Sequence, residues 1–269
     1  MEMLAFAIFG LIIGSFLNVL ILREGSEQSI LGRSSCPSCG RLLLWFELVP
    51  VLSFLVLRGK CRTCKSRISL QYITVEILTA VLFVLVGGAG LGALETALGL
   101  GIVSLFIAIC VYDIYHTLIP DAWSYLAAFL SLLYALSISD ASLVWILSSG
   151  PLVALPLFAM WLISKGRWMG LGDAKLALSL GWLLGLAQGM FALLGAFILG
   201  SIVSIFILLP LQTILERAKG IGITVLNPHD RRFTMQSEVP FGPFLIASCL
   251  FLWFLHVYGY DPAMYLFGF

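Results

Sequence analysis

Long apolar runs alternate with short polar breaks along most of the chain. Most runs hold about 20 residues, the length a helix needs to cross the ~30 Å hydrocarbon core of a bilayer. The pattern predicts eight transmembrane helices, at roughly 3–22, 71–88, 93–112, 119–139, 143–164, 173–187, 189–213 and 241–259. Only Gly185, Gln188 and Gly189 mark the break between the sixth and seventh. One polar stretch, residues 23–70, is long enough to be a small unit of its own. Within it, Trp45 to Leu57 is apolar but short and interrupted by Pro50, which predicts an interfacial or re-entrant hairpin rather than a span.

Composition gives the same class. Of 269 residues, 61% are hydrophobic and 11% charged, with a mean hydropathy of +1.07, so an ordinary soluble domain is excluded. The chain is expected to be an all-α polytopic membrane protein. Its first apolar run lacks a basic leading segment and is followed by Arg23, so it reads as a retained span rather than a cleavable signal.

The distribution of charge orients the spans. All fifteen Lys and Arg fall in three regions. Arg23, Arg33, Arg41, Arg58, Lys60, Arg62, Lys65 and Arg67 lie between spans one and two; Lys165, Arg167 and Lys175 flank the turn from span five to six. Arg217, Lys219, Arg231 and Arg232 lie between spans seven and eight. With eight spans and both termini outside, every basic residue faces the cytoplasm.

Residues 23–70 are too few to build much of a core and need a staple. The sequence offers Cys36-Pro-Ser-Cys39 and Cys61-Arg-Thr-Cys64. Paired C-x2-C turns can present four thiolates tetrahedrally to zinc, as a zinc ribbon does. Two disulfides are the alternative, disfavoured in a reducing cytoplasm, and redox chemistry at one pair is a third. Cys110 and Cys249 lie inside apolar spans and read as buried thiols.

The carboxylates carry the candidate chemistry. Asp113 ends span three and Asp173 begins span six, so the predicted topology sets both at the cytoplasmic boundary. Asp173 follows Gly170-Leu171-Gly172, where glycines let backbone approach closely. Asp121 follows Pro120 and reads as a helix-start acid. Glu76, inside span two, is either a polar interhelical contact or a functional group. Helix dipoles favour an anion at Asp173 and oppose one at Asp113, which would leave a shared proton on Asp113. The three histidines form no evident metal cluster or triad, no G-x-G-x-x-G or Walker-type loop occurs, and no nucleic-acid partner is expected. A proton- or cation-coupled transporter using Asp113, Asp173 and Glu76 is the rival reading, but it calls for carboxylates near the membrane midplane.

Taken together, Gly14-Ser-Phe-Leu-Asn18, the two cysteine pairs, Asp113 eight residues before Asp121, Gly170-Leu-Gly-Asp173-Ala-Lys175 and Pro240-Phe-Gly-Pro-Phe244 resemble the bacterial prepilin peptidases. These are also called type IV leader peptidases and belong to the GxGD aspartic proteases of membranes. The resemblance implies cleavage of the basic leader of type IV prepilins and type II secretion pseudopilins, on the cytoplasmic face of the inner membrane and after a glycine. It also implies N-methylation of the new terminus with S-adenosylmethionine. It carries the catalytic role to Asp113 and Asp173, places Gly170, Gly172 and Lys175 beside them as support, and assigns no residue to the methyl donor. The implied units are helix 1 (residues 1–22), a zinc-binding loop domain with its hairpin (23–70) and a seven-helix peptidase core (71–269). The sequence departs from the family at Glu47-Leu48, where an Asp-Asn-like pair is expected.

Overall fold

A computed structural model of the chain describes residues 1–25, 32–139, 141–208 and 240–260. Helix α1 is Glu2–Arg23, and the short α2 is Leu52–Val56. Then come α3 Leu70–Gly88, α4 Ala93–His116, α5 Asp121–Ile138, α6 Leu143–Ser164, α7 Leu171–Val203 and α8 Gly242–Val257. Among the described residues, six helices (α1 and α3–α7) are long and apolar enough to cross a membrane, and α8 is a shorter apolar helix. Asp140, the basic residues Arg217, Lys219, Arg231 and Arg232, and the tail beyond Tyr260 lie outside the described residues.

The break expected near Gly185 is a reversal of the chain inside α7. Gly185 adopts φ 76° and ψ 176°, a region only glycine visits freely. A Cβ on Gly189 would lie 3.3 Å from the Cα of Gly181. In a straight helix those residues would be about 12 Å apart along the axis. The two arms of α7 therefore double back on each other. A helix running from Leu171 to Phe206 would otherwise measure roughly 54 Å, far more than a bilayer core.

Small residues set the interhelical seams, as expected where lipid supplies no hydrophobic drive between helices. On α1, a Cβ at Gly10 would meet the Ala80 backbone at 2.6 Å, and one at Gly14 would meet Glu76 Cα at 2.7 Å. Between α6 and α7, a Cβ on Gly181 would lie 2.5 Å from the Ser149 carbonyl oxygen. Pro151 and Pro156 stand inside α6 without ending it. Helices α5 and α8 each pack against both α4 and α7, so they bridge the two helices that carry Asp113 and Asp173. The interior is a continuous apolar cluster that includes Phe106, Ile109, Leu176, Leu180, Leu245 and Trp253.

Between α1 and α3 the chain forms two cysteine turns and the hairpin. Trp45–Glu47 is a single 3-10 turn and Pro50-Val51-Leu52 is a γ-turn, with the Leu52 N–H donating to the Pro50 carbonyl at 2.6 Å. Trp45, Leu52, Leu55 and Val56 stay exposed, in keeping with a surface that meets lipid.

Candidate active site

Asp113 sits in the last turn of α4, which ends where Thr117 takes a left-handed backbone. Its side chain is 4% exposed, and Oδ2 accepts the Gly242 N–H at 3.0 Å. Gly242 opens α8, so a helix N-terminus is aimed at this carboxylate from 129 residues away in sequence. The expectation that dipoles oppose an anion at Asp113 considered α4 alone. With the Gly242 N–H of α8 beside it, that dipole argument for leaving the shared proton on Asp113 is no longer one-sided.

Asp173 is the third residue of α7, whose N-cap is Gly170. Its carboxylate faces the Gly170 N–H, one of the donors that the helix start leaves open. It is 8% exposed and feels the charge of Asp113. Ile119, in the link from α4 to α5, wedges between the two starts: a Cβ on Gly172 would lie 2.9 Å from Ile119 Cβ, and one on Gly242 would lie 3.3 Å from its Cδ1. Gly242 also faces Asp113 itself, because a Cβ there would sit 2.6 Å from Oδ2. The geometry thus needs glycine at Gly172 and Gly242. At Gly170 an added Cβ would meet only ordinary contacts, the nearest at 3.6 Å.

Lys175 turns away from the dyad. Its Nζ donates to Asp121 Oδ1 at 2.7 Å and lies 5.4 Å from the centre of the Tyr125 ring. Asp121 is therefore more than a helix-start acid: it ties the start of α5 to the first turn of α7. Sequence reasoning missed this pair, and it missed Gly242 and Ile119. The Pro240–Phe244 motif was the available signal for Gly242, but no local pattern marks Ile119. Glu76 does not join the two aspartates. It is buried on α3, accepts the Val51 N–H at 2.7 Å and has Ser15 as a second partner.

The four cysteines form a separate centre. All four Sγ atoms lie within 4.8 Å of one another, and the Cys36–Cys64 pair is 3.8 Å apart. A tetrahedron with ~2.3 Å zinc–sulfur bonds has edges of about 3.8 Å. The four are free thiols. Each turn is closed the same way. The Cys36 N–H donates to the Arg41 carbonyl and the Gly40 N–H to the Cys36 carbonyl; Cys61 and Lys65 repeat this with Ser66. The backbone N–H groups of Cys39 and Ser38 pull the Cys36 thiol down to about 6. At Cys39 the Arg41 N–H also lowers the value, but the crowding of neighbouring sulfurs, Cys36 first, outweighs it and leaves the thiol at about 11. Such crowding is what a dication relieves.

The departure at Glu47 is accommodated locally. Its carboxylate accepts from Arg41 at 2.6 Å and from the Leu44 N–H at 2.9 Å, and the Arg41 hydrogen bond holds it below the usual carboxylate range. Arg62 lies over the Phe46 ring at 5.5 Å. The hairpin is thus tied to both cysteine turns.

Fold and site together define a multi-pass helical membrane protein with two buried carboxylates meeting at helix ends and a four-cysteine centre apart from them. Two family models match: the bacterial peptidase A24 N-terminal domain over residues 8–88, and the type IV leader peptidase family over residues 100–205. Three relatives share the name prepilin leader peptidase/N-methyltransferase. The one from Myxococcus xanthus is 35% identical over 219 residues, covering 76% of this chain and 64% of the relative. That from Aeromonas hydrophila is 32% identical over 273 residues, covering 90% and 86%. That from Dichelobacter nodosus is 30% identical over 294 residues, covering 95% and 94%. The chain belongs to the type IV leader peptidase family. No solved structure matches it.

Proposed function

We infer that this chain is a membrane aspartic endopeptidase that removes the leader of type IV prepilins and related pseudopilins, and that it N-methylates the terminus so exposed. The observation that carries the reading is the convergence of Asp113 and Asp173, two buried carboxylates from separate helix ends, in a chain of this family. In a dyad sharing one proton, the ionised carboxylate takes a proton from water as its oxygen attacks the scissile carbonyl. The protonated one donates to the carbonyl oxygen, and a proton then passes to the leaving amine. The Gly242 N–H holds Asp113 at 3.0 Å and the Gly170 N–H faces Asp173, so backbone groups rather than mobile side chains stand against both carboxylates. The transporter reading is not retained: Glu76 engages Val51 rather than the aspartates, and both aspartates lie at helix ends rather than at a midplane.

The prepilin's basic leader would remain in the cytoplasm, the side that the Lys and Arg distribution assigns to both aspartates, while its apolar helix enters from the inner membrane. Cys36, Cys39, Cys61 and Cys64 would hold one structural zinc; their spacing and donor set fit a closed four-thiolate shell that has no position for a reacting water. S-adenosylmethionine would supply the methyl group, and no residue of the described structure is assigned to it. Purified protein given a synthetic prepilin should release the leader and, with labelled methyl donor, label the product. Release of neither would overturn the reading.

A further inference from the structure

We propose that Glu76 and Asn18 form a binding site for a primary ammonium group, the α-amino terminus that leader removal exposes; this rests on the methylation reading above. The two residues share one buried seam. Gly14 of α1 lies against Glu76 of α3, and one turn closer to the cytoplasm Asn18 Nδ2 donates to the Tyr72 carbonyl at 3.1 Å. Asn18 is 1% exposed and Glu76 7%. Both hydrogens of the Asn18 amide are used, the second on the Gly14 carbonyl at 3.2 Å, but its Oδ1 is buried with no partner. A buried acceptor left open is costly unless a donor arrives.

The neighbouring groups fit a peptide N-terminus. An ammonium needs acceptors, which Asn18 Oδ1 and the Glu76 carboxylate supply. The Val51 N–H now rests on Glu76 at 2.7 Å, where an ammonium N–H would sit. Val51 is β-branched, yet it occupies φ 60° and ψ −50° at the hairpin tip, a strained conformation that release from Glu76 would relieve. The tip is therefore a latch that an incoming ammonium displaces. Once bound, the ammonium can pass a proton to Glu76, an N–H bond breaking as an O–H bond forms, which leaves the amine neutral and nucleophilic. The helices that carry the site also touch the helix that carries Asp113. Helices α1 and α3 both pack on α4, and Gly25 at the end of α1 faces the hydroxyl of Tyr112, the residue before Asp113.

The test uses full-length protein in lipid nanodiscs and two probes: the N-terminal peptide of a mature pilin, with its amine free or acetylated. Wild type should bind the free-amine peptide about thirtyfold tighter or more, as expected for a buried charge pair. Glu76→Gln keeps an acceptor for Val51 but loses the charge. It should abolish that preference and raise KM for methylation of the free-amine peptide, with zinc content and leader cleavage reporting on the fold. Asn18→Ala should weaken the same preference, and it decides the matter if Glu76→Gln does not fold. Equal binding of both peptides by wild type, or a preference that survives in the folded variants, overturns the proposal. Wild type that binds the free amine selectively but never methylates it would sink the methylation reading and leave the site standing.

Discussion

Gly242 serves Asp113 in two ways. Its N–H reaches Oδ2, and its missing Cβ is what leaves room for the carboxylate. Gly242→Ala should keep the fold and cut leader cleavage about a hundredfold, the cost of misplacing a reacting group by an ångström or so. Asp113→Asn and Asp173→Asn should each abolish cleavage, because neither retains a proton to exchange. Asp121→Asn removes an ion pair whose carboxylate is 64% exposed, so its effect on activity should stay within a few fold. A prepilin cleavage assay separates these outcomes, and robust cleavage by Asp113→Asn with none by Asp121→Asn would mean that the wrong carboxylates have been paired. The sequence made both aspartates legible, through the Gly170-to-Asp173 motif and through an acid at an awkward helix end. It could not reveal that a helix beginning at Gly242 would answer the second, since local dipole reasoning sees only the helix a residue belongs to.

Among the elements, the two cysteine turns were the most legible, because C-x2-C spacing reports a geometry that does not depend on the rest of the fold. The structure adds that the turns are equivalent in backbone but unequal in residue. The position four after each first cysteine is left-handed, Gly40 at φ 69° and Lys65 at φ 59°. A left-handed lysine costs about 1 kcal/mol that glycine does not. Lys65→Gly should therefore raise the midpoint of thermal unfolding of the zinc-loaded insertion, and Gly40→Lys should lower it. Replacing Cys36 and Cys39 by Ser should remove the zinc, read by metal analysis, while the dyad stays intact. The reversal inside α7 was barely legible, for a physical reason. Apolar residues run through both arms with only Gln188 between them, so hydropathy alone marks no clear break. Only Gly185, whose backbone other residues avoid, turns the chain; Gly185→Ala should cost about 1–3 kcal/mol of stability.

At the scale of the molecule, that reversal decides how the chain crosses the membrane. With α7 as one straight span, α8 would run in the opposite direction and Gly242 would open on the far side from Asp113. The hydrogen bond between them requires two arms. The first arm, from Leu171 to Gly185, is only about 21 Å long, short of a full hydrocarbon core. A span this short is accommodated by local thinning, by flanking polar side chains or by association with other helices. The charges carry the expectation of sidedness: every Lys and Arg falls in a segment assigned to the cytoplasm, a pattern that an odd number of crossings would scatter. The prediction is that the reversal near Gly185 and the α5–α6 turn face outward while the α6–α7 turn faces inward. Single cysteines at Ala187, Ser139 and Trp168, all exposed, test it. The background should lose Cys110 and Cys249 but keep the four clustered cysteines, whose removal would disturb the insertion. An impermeant thiol reagent should label Ala187→Cys and Ser139→Cys from outside intact cells and should label Trp168→Cys only after the membrane is opened. Labelling of Ala187→Cys from the same side as Trp168→Cys would mean that α7 does not return through the membrane, and the pairing of Asp113 with the start of α8 would fall with it.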